Sequence, residues 1–493
     1  MDFGVDDDDE VYTSEADEAD VGTFTAEKTR SDYEVDFRVL DAHDIRTMQH
    51  DRARQVADIL GISTEHSAIL LRYFKWNKEE LIERYMDGPE TVLQKAGVIT
   101  DDSTAPRVMP APAGFCCDIC CDDEPGLESL ALRCAHRFCR SCYEDYLRKK
   151  VVNDGESRRI QCPATHCSVI VDERTVERLV PAAVYTRYQM LLTRTFVDDS
   201  PQLRWCPAPS CEYVVKCDVP QAALRTVVPT VQCRCGTTFC HGCGLEDHLP
   251  CICELVKLWL RKCADDSETS NWIQANTKEC IKCHSTIEKN GGCNHMTCRK
   301  CHHEFCWVCL GPWSEHGTNW YNCNRFDESS SKDARDSQAR SRQQLERYLH
   351  YYNRYANHDQ SARLDKELHT RTEKKMEEMQ RTSSLSWIEV QFLRVAVDKL
   401  YECRMTLKWT YAFAYYLTRD NQTALFEDNQ RDLEMAVEAL SELLEKPIDP
   451  THIKELKQDV LNKTSYVAKR RETLLEDTAR GLMEERWKYQ VTL

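Results

Sequence analysis

Long apolar runs are missing from this chain of 493 residues. No stretch approaches the roughly 20 consecutive apolar residues that a membrane-crossing helix needs. The first 20 residues contain no lysine or arginine and hold ten aspartates or glutamates, the reverse of the basic start of a secretory leader. A reducing compartment is expected: the cytoplasm, and the nucleus as well. Positive charge is also scarce. Lys and Arg number 65 against 82 Asp and Glu, for a net charge of −17, and no basic stripe lies between the cysteine-rich segments. Nonspecific nucleic-acid binding is therefore disfavoured, and neither nucleic acid nor membrane is expected as a partner. From residue 333 onward proline occurs only at 447 and 450, and glycine only at 481.

What the chain has in excess is cysteine, 28 in all, and every one except Cys403 lies between 116 and 323. In a reducing compartment clustered cysteines mean metal more often than disulfides.

The chain divides by composition. Residues 1–40 are acidic and poor in aliphatic side chains, which predicts a disordered tail. Across 41–100 apolar residues recur at helical spacing, with breaks at Gly61-Ile62-Ser63 and Trp76-Asn77. Three short helices follow, the third capped by Asn77 with Glu80 at the capping-box position. Residues 101–114, rich in Pro and Ala, read as a stiff linker. One signature then occurs three times: Phe138-Cys139-Arg140-Ser141-Cys142, Phe239-Cys240-His241-Gly242-Cys243 and Phe305-Cys306-Trp307-Val308-Cys309. Three metal modules in tandem are expected over 115–170, 203–254 and 277–325, joined by linker helices at 171–202 and 255–276. They hold too few large aliphatic residues for full cores, so metal must supply much of their folding free energy. Residues 333–493 carry apolar residues at steps of three and four, the pattern of a helical bundle. The Tyr-rich runs around Tyr348 and Tyr411 read as its core.

Ligand spacing assigns the sites. Module one offers Cys117, Cys120, Cys134, His136, Cys139, Cys142, Cys162 and Cys167, in the order of a RING finger, where alternate pairs share a zinc ion. Cys116 and Cys121 are spare. Module two offers Cys206, Cys211, Cys233, Cys235, Cys240, Cys243, His248 and either Cys251 or Cys253, with Cys217 and Cys263 spare. Module three offers Cys280, Cys283, Cys298 and Cys301 for one metal and Cys306, Cys309, His316 and Cys323 for another. Cys293 is left over. Making Cys293 a ligand and another cysteine spare would break up the C-x2-C pairs that zinc favours. An unligated thiol in a zinc-rigid loop, with His295 two residues on, points to a nucleophile.

At this point the sequence resembles the RING-between-RING ubiquitin ligases, and the Ariadne branch in particular. The motifs are Trp205-Cys206-Pro207-Ala208-Pro209, Asp265 to Ile273, Thr286-Ile287-Glu288-Lys289-Asn290-Gly291-Gly292-Cys293-Asn294-His295-Met296 and Ser386 to Leu393. The resemblance spans about residues 40–493. It implies a multidomain fold: zinc-stabilised α+β modules (RING, in-between-RING, second RING-like), an N-terminal three-helix UBA-like domain and a C-terminal α-helical Ariadne domain. Cys253 is preferred over Cys251 on the family pattern, and six zinc ions are implied, two per module.

The implied activity is acyl transfer. The first RING, around Ile119 and Pro163, receives a ubiquitin-loaded conjugating enzyme, ubiquitin moves to Cys293 as a thioester, and a lysine of the protein substrate takes it. His295 would be the general base and Glu304 would orient it. Ser168 stands where RING ligases of the direct-transfer type often carry a cation, which suits a relay. The resemblance also implies that the UBA-like domain binds a neddylated cullin-RING ligase. The Ariadne domain would hide Cys293 through Leu364, Asp365 and Glu438, the first two standing where a Phe-Glu pair is expected. Leu71, Phe74 and Trp76 read as core of the UBA-like domain. Gly291-Gly292 would let a ubiquitin tail approach closely, or form a plain turn.

Overall fold

The computed structural model describes residues 31–100, 106–265, 277–289, 291–316, 323–326, 337–382, 390–446 and 452–493. Most of the acidic tail (1–30), the 266–276 end of the second linker helix, Asn290 and the Ser386–Glu389 part of the last motif lie outside these residues.

The described chain opens with a strand where a disordered tail was expected. β1 (Phe37–Leu40) pairs antiparallel with residues 214–217, far along the chain, so the tail ends before Phe37. Four helices follow: α1 (Ala42–Leu60), α2 (Thr64–Tyr73), α3 (Lys78–Asp87) and α4 (Pro89–Ala96). The two expected breaks and the Asn77 cap are present, and α4 is an addition. Asp41 caps α1 in a reciprocal capping box with Asp44. Asn77 accepts the Glu80 N–H, and its amide donates to the Glu80 carboxylate. Leu71 and Trp76 are buried and Phe74 packs beside them, as core residues.

In module one β2 (Val108–Pro110), β3 (Glu128–Ala131) and β4 (Arg137–Cys139) form an antiparallel sheet, so part of the linker is strand. α5 (Arg140–Arg148) runs from its last strand into a π-helical turn. The first linker is two helices, α6 (Glu173–Leu179) and α7 (Ala182–Asp199). α1 packs against α7, Arg72 of α2 donates to Tyr188, and Trp76 meets Phe196 edge-on at 4.6 Å between ring centroids.

Module two holds β5 (Leu203–Trp205), β6 (Val214–Cys217), β7 (Thr230–Gln232) and β8 (Thr238–Cys240), with sheet order β1-β6-β5. α8 (Cys253–Asp265) leaves it. Module three has two hairpins, β9 (Thr277–Glu279) with β10 (Thr286–Glu288) and β11 (His295–Thr297) with β12 (Glu304–Cys306).

The C-terminal domain comprises α9 (Ser337–Thr382), α10 (Phe392–Tyr416), α11 (Asn421–Glu445) and α12 (Ile453–Met483). α10 is buried on almost every side from Cys403 to Ala414, as a helix at the centre of a bundle must be. Module two and the bundle share one core. Trp259 of α8 is fully buried among Tyr348, Tyr352, Tyr355 and Tyr415, at ring-centroid distances of 5.3 to 6.5 Å. The Tyr-rich runs are core. Among the described residues no helix is long and apolar enough to cross a membrane.

Candidate active site and metal centres

Cysteines and histidines converge in groups whose ligand atoms all lie within 4.8 Å of one another: Cys117, Cys120, Cys139 and Cys142; Cys134, His136, Cys162 and Cys167; Cys206, Cys211, Cys233 and Cys235; Cys240, Cys243, His248 and Cys253; and Cys280, Cys283, Cys298 and Cys301. Cys306, Cys309 and Cys323 meet side chain to side chain, with His316 Nε2 at 3.6 Å from Cys309 Sγ. In module one the first and third pairs share a site, as do the second and fourth; in modules two and three consecutive pairs share one.

The thiols fit zinc rather than disulfides. Four sulfurs at about 2.3 Å from a tetrahedral ion lie about 3.8 Å apart. The Sγ–Sγ separations are 3.6 Å for Cys120–Cys139, Cys134–Cys162, Cys206–Cys235, Cys280–Cys301 and Cys283–Cys298. Cys253 joins its group and Cys251 stays outside, where its carbonyl lies 2.6 Å from His248 Nδ1. That contact turns His248 Nε2 toward Cys243 Sγ, 3.2 Å away. Cys116 and Cys121 are exposed, and neither they nor Cys217 and Cys263 join these groups.

Cys293 joins none of them either. It lies on the loop between β10 and β11, beneath the C-terminal domain. Its N–H donates to Glu445 Oε1 (3.2 Å), and its Sγ lies 4.0 Å from the Glu438 carbonyl oxygen. Asn294 donates to Glu438 twice, from its backbone N–H to Oε2 (2.5 Å) and from Nδ2 to Oε1 (2.9 Å). Glu438 and Asp365 are joined by Arg404, which reaches Glu438 Oε1 at 2.8 Å, Asp365 Oδ2 at 3.0 Å and Ser441 Oγ at 3.1 Å. Leu364 is half-buried beside Asp365.

The glycines make this approach possible. A Cβ on Gly292 would fall 2.2 Å from Asp365 Oδ1, and one on Gly291 2.7 Å from Glu445 Oε1. Gly291-Gly292 thus admit carboxylates of the chain itself.

The electrostatics follow from burial. Burial first, then Glu438 and Glu445, push the Cys293 thiol pKa well above its ordinary value, against the opposing His295 N–H and Arg404. Burial works against the Arg404 charge, but Glu438 and Asp365 outweigh it and hold its pKa above normal. Glu438 is fully buried, yet Arg404, Lys289 and the Asn294 N–H hold its carboxyl below the usual range.

His295 stacks on Trp313 with ring centroids 4.3 Å apart. Its Nε2 lies 3.5 Å from Glu304 Oε2 and its Nδ1 3.8 Å from Glu442 Oε2. Glu304 therefore stands beside the histidine. Its ring is 17 % exposed, and Glu442 of α11 closes the second nitrogen from the covering side. In module one Ile119 is exposed and Pro163 half-buried.

The sequence reading missed Lys289, Arg404, Glu445, Asn357 and Trp313. Lys289 stood inside a recognised motif. The others gave no local signal: Arg404, Glu445 and Asn357 are polar residues on long helices, which read as surface, and Trp313 lies on a short turn outside any recognised motif.

Known domains match along the chain. The UBA-like domain of E3 ubiquitin-protein ligase ARIH1 matches residues 47–87 and a C3HC4-type zinc finger (RING finger) 117–164. The IBR domain described as a half RING-finger domain matches 186–253, an IBR domain 275–324 and the Ariadne domain 346–474. E3 ubiquitin-protein ligase dbl4 of Schizosaccharomyces pombe is 56% identical over 475 residues, 96% of this chain and 93% of its own. E3 ubiquitin-protein ligase ARIH1 of Homo sapiens is 46% identical over 466 residues, 92% of this chain and 82% of its own. E3 ubiquitin-protein ligase ariadne-1 of Drosophila melanogaster is 45% identical over 472 residues, 94% and 92% of the two chains. With its RING, in-between-RING and Ariadne domains in that order, this chain belongs to the RING-between-RING E3 ubiquitin ligases of the Ariadne family.

Proposed function

We propose that the protein carries ubiquitin on Cys293 between a conjugating enzyme and a substrate lysine, and that the described conformation is its masked form. The observation that carries this reading is a thiol outside the Cys/His clusters found among the described residues, covered by carboxylates of another domain. Transfer between thioesters is nearly isoenergetic, so what the site must supply is a thiolate and access. The masked conformation withholds both. Glu438 and Glu445 cover the loop, and the raised thiol pKa keeps Cys293 protonated at neutral pH.

The first RING offers the exposed Ile119, together with Pro163, as the seat of the loaded conjugating enzyme. After unmasking, Cys293 takes ubiquitin. An incoming lysine is mostly protonated at neutral pH and needs a base. His295 fills that role with Glu304 behind it and Trp313 fixing the ring plane. Zinc, two ions per module and six in all, holds the loops that place these groups. A neddylated cullin-RING ligase seated on the UBA-like helices would act on the rest of the chain through the Trp76–Phe196 contact with α7. The cytoplasm and nucleus are the proposed setting.

Two variants test the relay. Cys293→Ala should abolish both the reducible ubiquitin adduct and lysine transfer; transfer at full rate would make this a RING ligase without its own thioester. His295→Ala should form the adduct yet discharge it to free lysine slowly, and normal discharge would remove the base role. Native mass spectrometry should count six zinc ions per chain.

A further inference from the structure

We propose that the backbone N–H groups of Cys293 and Asn294, with the Asn294 side-chain amide, form the oxyanion cradle of the acyl transfer, and that Lys289 is the positioning residue that aims the amide. The inference rests on the reading of Cys293 as the acyl carrier.

In the masked form all three donors end on carboxylate oxygens: Cys293 N–H on Glu445 Oε1, Asn294 N–H on Glu438 Oε2, and Asn294 Nδ2 on Glu438 Oε1. A carboxylate oxygen carries the kind of charge that develops on a thioester carbonyl under attack. Donors that face negative charge beside the nucleophile are what such a step requires, and here two meet Glu438 and one meets Glu445. Both carboxylates belong to α11, so they leave with the Ariadne domain and the donors become free for substrate.

The amide must keep its orientation after that departure. An asparagine can present either its oxygen or its NH2. Asn294 Oδ1 accepts from Lys289 Nζ (2.7 Å) and Asn357 Nδ2 (3.0 Å), which leaves Nδ2 facing the cradle. Asn357 lies on α9 and departs. Lys289 follows β10 in the same module and stays. An ammonium only donates, so it holds Oδ1 toward itself. Lys289 also donates to Asn357 Oδ1 (3.1 Å) and Ser361 Oγ (3.0 Å), which gives its three donors three acceptors in a buried site. Burial lowers its pKa to about 8, and it remains mostly charged at neutral pH.

The step balances as follows. Cys293 Sγ, its proton given to His295 or water, bonds to the carbonyl carbon of the conjugating-enzyme thioester. The carbonyl π pair moves to oxygen, where the three N–H groups receive it. Collapse restores C=O and breaks the bond to the conjugating enzyme's sulfur, which leaves as thiolate and takes a proton from water. In the second step the amine nitrogen bonds to the same carbon and the π pair again moves to oxygen. His295, having returned any proton to water, takes the amine proton, and collapse restores C=O and breaks the bond to Cys293 Sγ, which leaves as thiolate.

The test uses the full chain carrying Glu438→Ala to weaken the mask, mixed with loaded conjugating enzyme in single turnover. Asn294→Ala and Lys289→Met should each slow the maximal rate of adduct formation about 10²-fold. The enzyme concentration giving half-maximal rate should stay unchanged. The double variant should be no slower than Asn294→Ala alone, because Lys289 acts through that amide, and Lys289→Arg should recover much of the rate. Three results would overturn the proposal: a full rate in Lys289→Met, losses that multiply in the double variant, or a loss confined to the half-maximal concentration. Should Lys289→Met fail to retain zinc, Asn294→Ala decides alone, and a full rate there overturns the cradle. Absence of any adduct in the Glu438→Ala parent would instead remove the acyl-carrier reading beneath it.

Discussion

Replacing Glu438 by glutamine keeps the shape of the mask and changes its hydrogen-bonding capacity. Glu438 Oε1 accepts from both Arg404 Nη1 and Asn294 Nδ2, while Oε2 accepts the Asn294 N–H. A glutamine oxygen placed at Oε1 keeps the first two bonds but turns its NH2 toward the Asn294 N–H, donor against donor. The reverse orientation sets the NH2 against two donors and is worse. A buried donor left unmatched costs about 1–3 kcal/mol, and the change from a charged to a neutral acceptor costs about 1 kcal/mol more. The altered Glu438–Arg404 pairing is internal to the Ariadne domain, so it largely cancels between masked and open forms. The masked form therefore loses about 2–4 kcal/mol, which multiplies the open population about 30- to 1,000-fold. The assay is the rate at which Cys293 is alkylated by a small thiol reagent, read by peptide mass spectrometry, alongside autoubiquitination. Both should rise in Glu438→Gln, up to the plateau of the fully open chain. Unchanged alkylation at Cys293 would refute the reasoning, because it would mean that these bonds do not hold the mask.

Three further outcomes follow from the same geometry. Gly292→Ala puts a methyl group 2.2 Å from Asp365 Oδ1, so it should open the mask and raise Cys293 alkylation by at least tenfold, about 1.4 kcal/mol; a silent Gly292→Ala would contradict the close approach. The masked form binds the Cys293 proton more tightly than an ordinary thiol, so its stability is full below about pH 8.5 and falls as pH rises above that value. The alkylation rate of the native chain should thus inflect at higher pH than that of Glu438→Ala, and coincident profiles would count against the shift. Trp259→Ala empties the aromatic joint between α8 and the bundle at a cost of about 3–5 kcal/mol, and amide exchange should speed up in α8 and α10 together.

Much of the site was legible because metal chemistry is local. A C-x2-C pair delivers two sulfurs to one ion whatever the surrounding fold, so most of the clustered cysteines could be grouped by spacing and Cys293 set apart, while the choice of Cys253 over Cys251 needed the family pattern. The bundle core was legible because Trp409, Tyr411 and Phe413 recur along one continuous apolar helix. What escaped depends on distant pairing. β1 is four residues long, and its partner strand begins at Val214. Arg404 reads as helix surface, yet it is fully buried because Asp365 and Glu438 converge on it from two other helices. Lys289 is buried only because Asn357 and Ser361 of α9 close over it.

The most direct measurement is to locate the bond itself. The Glu438→Ala chain is mixed with ubiquitin-loaded conjugating enzyme, quenched at low pH, digested without reductant and mapped by mass spectrometry. The account predicts a thiol-labile ubiquitin remnant on the peptide containing Cys293 and on no other cysteine. A remnant on a different cysteine, or zinc bound at Cys293 with no remnant anywhere, would contradict it.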